Sequence, residues 1–222
     1  MMEKTMCSEN NIYIVLIKAH TGLGKISRKI TKYDYSHISI SMDESFTDFV
    51  TFSRRKHFSP FDSGFTHEHR NYYAFGKNEN VKVKIFKVPV DKDSYNEIVD
   101  TINRFEKDKD NIFNIYSMVT MPIIHGFQIY KAYNCMSFVG LILKKTNAVK
   151  MDKPYYKYMI KDMDSLLTEY FYYEGFLDKL DFEDDYMDRI PVFKNVSDFF
   201  KLNLRLIGRI IFKQRRIEEN EK

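Results

Sequence analysis

Between Tyr133 and Leu143 the chain carries no charged residue: Tyr133-Asn134-Cys135-Met136-Ser137-Phe138-Val139-Gly140-Leu141-Ile142-Leu143. The part after the cysteine reads as an apolar helix that runs to about Lys145, with Asn147 as its stop. A helix this apolar has to be packed against another layer of structure rather than left on a surface. Its first residue is a thiol. The unpaired N–H groups and the positive end of the helix dipole favour negative charge there, which suits a sulfur nucleophile. A cysteine beside an apolar run also serves simply as a core residue, and both readings start from this segment.

The rest of the chain alternates in a way that supplies the other layer. Residues 12–18 form a short apolar run that reads as a buried strand. Thr21-Gly22-Leu23-Gly24-Lys25 leads into a short helix or turn with Ile26 and Ile30; the full phosphate-loop spacing is absent. Residues 37–42 and 46–53 read as two strands joined through Asp43-Glu44-Ser45. Ser59-Pro60-Phe61-Asp62-Ser63-Gly64-Phe65 reads as a loop. Residues 71–76 and 81–88 read as a hairpin turning at Gly76-Lys77-Asn78-Glu79-Asn80. Tyr95, Ile98, Val99, Ile102 and Phe105 recur at helical spacing over 92–107. A further apolar stretch spans Ile112 to Ile124, and 162–170 reads as another helix. Beyond 170 the character changes: an acidic stretch, Phe182 to Asp188, precedes an amphipathic basic helix over Ser197 to Arg216. The expected division is therefore a domain over 1–170 and an extension over 171–222 packed on it.

Composition narrows the class. A chain of 222 residues is long enough for one sizeable core, and 19 Phe with 16 Tyr and no Trp point to a core built of rings. Basic and acidic residues, 35 and 31, nearly balance, too weak a bias for a nucleic-acid protein. Two cysteines, Cys7 and Cys135, argue against a disulfide framework and for a reducing compartment. Ile12 to Ile17 is too short for a signal sequence or a membrane span, so the expected location is cytoplasmic.

Ser36-His37-Ile38-Ser39-Ile40-Ser41-Met42 places a histidine at the opening of a strand. A cysteine at a helix start and a histidine on a strand are the two parts a thiol hydrolase brings together. The histidine needs a group that holds its tautomer and stabilises its charged form. On the neighbouring strand Asp48 interrupts an aromatic and β-branched run, Phe46 to Phe52, and a carboxylate there needs a partner. Asp48 is thus the expected partner of His37.

The order His…acid…Cys, with the histidine opening the first strand of a hairpin, resembles the circularly permuted papain-like cysteine hydrolases. These form the YiiX-like branch of the NlpC superfamily, related to the lecithin retinol acyltransferase fold. Three blocks carry the resemblance: Tyr35 to Asp43, Asp48 to Phe65, and Tyr133 to Val139. It covers roughly residues 11–170. It implies Cys135 as nucleophile, His37 as general base and Asp48 as the polar orienting residue. Family members often carry Glu, His, Asn or Gln at the third position, so aspartate is a shorter variant. The residue before the cysteine is commonly Thr or Asn, which Asn134 fits; Met136 departs from the usual polar residue after it. Tyr35, Tyr133 and Asn134 are the candidates for positioning or oxyanion roles. The implied fold is α+β: an antiparallel sheet or half-barrel packed against the helix that carries the cysteine. The implied activity is hydrolysis of an amide or ester through a thioester, or acyl transfer, on a peptide, amide or lipid-acyl substrate. No cofactor, metal or nucleic acid is expected. The alternative is a catalytically silent binding or membrane-associated domain on the same scaffold.

Other patterns weigh less. His67-Glu68-His69 has a spacing that some metal sites use, but without further ligands it reads as a solvated loop. Lys82, Lys84 and Lys87 beside Tyr72 and Tyr73 read as an outward strand face. Residues 197–216 either cover the domain's apolar surface or make a peripheral membrane contact.

Overall fold

The computed structural model describes residues 10–182 and 184–213. Over these residues the protein is α+β, with one antiparallel six-stranded sheet and six α-helices. Strand β1 (Asn10–Ile17) leads through helix α1 (Gly22–Thr31) to β2 (His37–Ser41), β3 (Phe49–Arg54) and β4 (Ser63–Glu68). Then follow β5 (Asn80–Val90), α2 (Lys92–Lys107), β6 (Ile112–Phe113), α3 (Ile115–Ile124), β7 (Ala132–Tyr133) and α4 (Cys135–Lys145). The described residues end with α5 (Ile160–Leu166), β8 (Phe171–Asp178) and α6 (Val192–Phe212). The sheet order is β4-β3-β2-β1-β5-β8, while β6 and β7 form a separate short parallel ladder.

Alternation along the strands divides the core in two. Ile12, Ile14, Leu16, Ile38, Ile40, Val50 and Phe52 face one side, where α4 packs on β2 and β3 and α2 packs beside it. Most of the buried residues are aliphatic, and the rings cluster where α4 and α2 meet the sheet: Phe138 of α4 lies 5.4 Å from Phe52 and 5.3 Å from Phe105, centroid to centroid. Tyr13, Val15, Ile17, Phe49, Val83 and Ile85 face the other side, with Phe46 and Tyr73 of the connecting segments laid over them.

Most helix starts follow directly from their caps. Thr21, Asp91, Asn114 and Asn134 each accept a first-turn N–H of α1, α2, α3 and α4. At α4 the cap is reciprocal, since Ser137 Oγ accepts the Asn134 N–H at 2.9 Å.

Three expectations change. Residues 63–68, read as loop, form β4, paired along all six residues with β3. Their composition is polar and holds a glycine, so no apolar alternation marks them. Residues 71–76 are not a strand: Arg70–Tyr72 is a single 3-10 turn, and β5 pairs with β1 instead of folding back. Finally, β8 is the sixth strand of the sheet, paired with β5. The segment beyond 170 thus shares the sheet with the residues before it. Helix α6 docks through Leu202, Leu206 and the buried Arg209, whose guanidinium donates to the Tyr130, Lys131 and Asp110 carbonyls. Arg215 and Arg216 lie outside the described residues.

Gly140 lets the 155–157 turn pass across α4: a Cβ there would stand 2.6 Å from the Tyr155 carbonyl oxygen. Gly140→Ala should therefore cost about 1–3 kcal/mol in urea unfolding, the usual range for overpacking. Gly208→Ala in α6, with open space at its Cβ, should be neutral or stabilising by up to about 1 kcal/mol.

Candidate functional site

Cys135 is the first residue of α4, and Asn134 before it is spent on the cap and on α3: Oδ1 accepts from Ser137 N at 2.9 Å and Nδ2 donates to Ser117 Oγ at 3.4 Å. The sulfur is half-buried and uncrosslinked. It stands within electrostatic reach of the imidazole of His37, the first residue of β2. The helix start and the strand start, almost a hundred residues apart in sequence, therefore meet. Cys7 lies outside the described residues.

The partner of His37 is Glu68, not Asp48. His37 Nε2 lies 3.0 Å from Glu68 Oε2. Ser39 Oγ, 3.1 Å from the same nitrogen, donates to the same carboxylate oxygen at 3.2 Å. Tyr73 Oη also donates to Oε2, and Ser53 Oγ donates to Oε1. Glu68 is only 3% exposed, and a carboxylate so buried persists only with such donors around it. The Tyr73 ring covers the imidazole at 5.6 Å, tilted by 33°.

Asp48 lies at the other end of the hairpin. Its carbonyl accepts from Ser41 Oγ at 3.2 Å, and Ser41 is four residues beyond His37, about 13 Å along a strand. Its carboxylate takes His67 Nδ1 at 2.8 Å instead. The short connection between β2 and β3 brings the strands together, but the antiparallel register sends their starting residues to opposite ends. Glu68 escaped the sequence reading because β4 did. The available signal was the alternation in His67-Glu68-His69, which turns the glutamate inward while His67 meets Asp48 and His69 Nδ1 meets the Thr47 carbonyl at 3.1 Å. Among the described residues no group of three or more His, Cys, Asp and Glu is placed to hold a metal ion.

The remaining candidates are spent elsewhere. Tyr35 lines the cavity beside the sulfur, but its hydroxyl donates to Glu174 at 2.6 Å. Tyr133 is packed between the Phe52 and Phe105 rings and lines a separate cavity of about 480 Å³ that does not include Cys135. The cavity at Cys135 measures about 150 Å³. Ser27 and Thr31 of α1, Met118, Met121 and Pro122 of α3, and Met159 and Ile160 form much of its wall. Lys82, Lys84 and Lys87 pair with Asp34, Asp164, Glu174 and Glu44, and Tyr72 stacks on Tyr186.

Burial of His37 works against its proton, but the Glu68 carboxylate and the neighbouring Cys135 outweigh it and push the pKa up to about 10. Glu68 moves the opposite way. Burial raises its pKa, while His37 and the hydroxyl donors hold it below the ordinary value.

No protein-family model matches this chain, and neither a curated protein nor a solved structure does. Among the described residues no helix is long and apolar enough to cross a membrane.

A histidine whose pKa is higher in the folded chain adds stability that is complete below the ordinary value of 6.5 and fades as pH rises through about 10. Glu68 adds stability above its ordinary 4.5, lost as pH falls through the lowered folded value. Melting followed by circular dichroism should show a midpoint that declines from near neutrality to about pH 10. In His37→Gln this alkaline slope should be shallower.

Proposed function

We propose that the protein is a cysteine hydrolase of amide or ester bonds, with Cys135 as nucleophile, His37 as acid and base, and Glu68 as the residue that orients His37. The observation that carries this reading is the row Cys135–His37–Glu68: a sulfur beside an imidazole whose Nε2 is held by a buried carboxylate. A histidine serving only to fill the core needs neither a sulfur nor a fully satisfied carboxylate. The finer assignment, a permuted papain-like fold, is supported by the order His…acid…Cys and by the cysteine helix packed on the sheet. A glutamate at the third position agrees better with that resemblance than an aspartate does.

In this reaction the Cys135 sulfur attacks the carbonyl carbon, and the carbonyl π electrons move to oxygen. The His37 imidazolium gives its proton to the leaving amine or alkoxide as the C–N or C–O bond breaks, leaving a thioester. Neutral His37 then takes a proton from water, which attacks the thioester and frees the acid and the sulfur. Another acceptor in place of water gives acyl transfer. The α4 cap uses the Ser137 N–H and leaves that of Cys135 for the oxyanion. Ser36 lines the same cavity, and because its Oγ accepts from Arg28 at 3.2 Å its own proton is available as a second donor.

The test is alkylation of the full chain with iodoacetamide near pH 7, mapped by mass spectrometry. Cys135 should react faster than Cys7, and His37→Ala should slow Cys135 by about 100-fold. Equal, slow labelling of both thiols, unchanged by His37→Ala, would instead mark a silent binding domain.

The two carboxylates separate in the same assay. Glu68→Gln removes the strongest influence raising the His37 pKa and should move the alkaline limb of the Cys135 alkylation profile to lower pH. Asp48→Asn, at the far end of the hairpin, should leave the profile where it is.

A further inference from the structure

The two helices that wall the Cys135 cavity expose apolar side chains on their outer surfaces. On α1, Ser27 and Thr31 line the cavity, while Ile26 and Ile30 are 58% and 59% exposed. At 100° per residue, Ile26 and Ile30 stand one step round the helix from the cavity, and Lys25 and Lys29 one step further. On α3, Met118, Met121 and Pro122 line the cavity, while Val119, Ile123 and Ile124 face solvent. Ile123 is 79% exposed.

Helix α6 extends this surface. It buries Leu202, Leu206 and Arg209, yet Phe193, Val196, Phe200, Leu204, Ile207 and Ile211 form a second, exposed stripe at helical spacing. Asn203 lies on the flank between the two stripes and accepts from Tyr116 Oη at 2.6 Å. Tyr116 shares a face of α3 with Val119 and Ile123, so the outer surface of α3 adjoins the exposed stripe of α6. Apolar patches beyond a few hundred Å² are rare on surfaces that meet only water.

Charge decides what covers the surface. Helix α1 carries Lys25, Arg28 and Lys29, with Lys32 at its C-cap, and no acidic residue. Among the described residues Lys25, Lys29 and Lys32 enter no salt bridge within 4.0 Å, whereas most lysines of the sheet do. A second copy meeting this face would bring the same positive helix against itself. An anionic lipid surface supplies both the negative headgroups for the lysines and the hydrocarbon for the isoleucines next to them.

We propose that α1, α3 and α6 form a docking face for an anionic bilayer, with the Cys135 cavity between α1 and α3 at the contact. The docking stands apart from the catalytic reading. If both hold, the bond that Cys135 attacks belongs to a molecule resident in that bilayer.

The test is flotation of the full chain with phosphatidylcholine vesicles, alone or containing phosphatidylserine, at low salt. The chain should float with the anionic vesicles and be released by high salt. Ile26→Glu with Ile123→Glu should weaken binding about tenfold or more, and Lys25→Gln with Lys29→Gln about tenfold. These positions are exposed, and unchanged melting would show that the variants fold. Cys135→Ser should bind as the parent does, so a failed labelling experiment would leave the docking intact, and the reverse. Absence of binding to anionic vesicles, equal binding to neutral ones, or indifference to the apolar substitutions would overturn the proposal. So would a dimer in light scattering that the same substitutions dissociate.

Discussion

A carboxylate inside the sheet's second core is the constraint around which the neighbouring elements are arranged. Glu68 accepts from His37 and Ser39 on β2, from Ser53 on β3 and from Tyr73 beyond β4. Removing a carboxylate from water is costly unless donors of this number replace the solvent, and here they come from three separate stretches of chain. The network therefore ties β4 to β2 across β3. It also sets the histidine: the imidazole is held at Nε2, and α4 brings Cys135 beside it.

The opposite face of the sheet does different work. It positions α4 through apolar packing alone, with Ile38, Ile40 and Phe52 beneath Phe138 and its neighbours. Helix α4 is pinned lengthwise by the Asn134–Ser137 cap and crosswise by the turn at Tyr155, which sits against Gly140. Apolar packing sets the height of the helix over the sheet and the cap sets where it starts. Together they leave Cys135 at the rim, half-buried, with a small cavity beside it. The cavity walls, α1 and α3, are thin: each has one face on the cavity and the adjacent face in solvent. Chemistry at the sulfur and contact with an external surface are thereby close neighbours.

Helices α2 and α4 were legible because their signals are local. Periodic apolar spacing marks α2 to its terminal residues, and Cys135 to Lys145 matches α4, since capping and periodicity involve residues within a few positions of each other. The strand of His37 was legible for the same reason. Strand β4 was not: Ser63-Gly64-Phe65-Thr66-His67-Glu68 has a turn-like composition and is a strand only because β3 offers it hydrogen bonds. The hairpin expected over 71–88 failed in the converse way. Its second strand is real, but the partner it takes is β1, and the tyrosines of the first half lie instead against the sheet and the 180–186 segment.

What the chain determines by itself is the α+β class, the helix that begins at a cysteine and the strand that begins at a histidine; each depends on near neighbours and on alternation or 3.6-residue periodicity. Which carboxylate meets the histidine was decided only in three dimensions. Asp48 is close to His37 in sequence and far from it in space, because antiparallel register separates strand starts by the length of the strand. Glu68 is more remote along the chain and adjacent in the fold, because a third strand brings it inward where only buried donors can satisfy it.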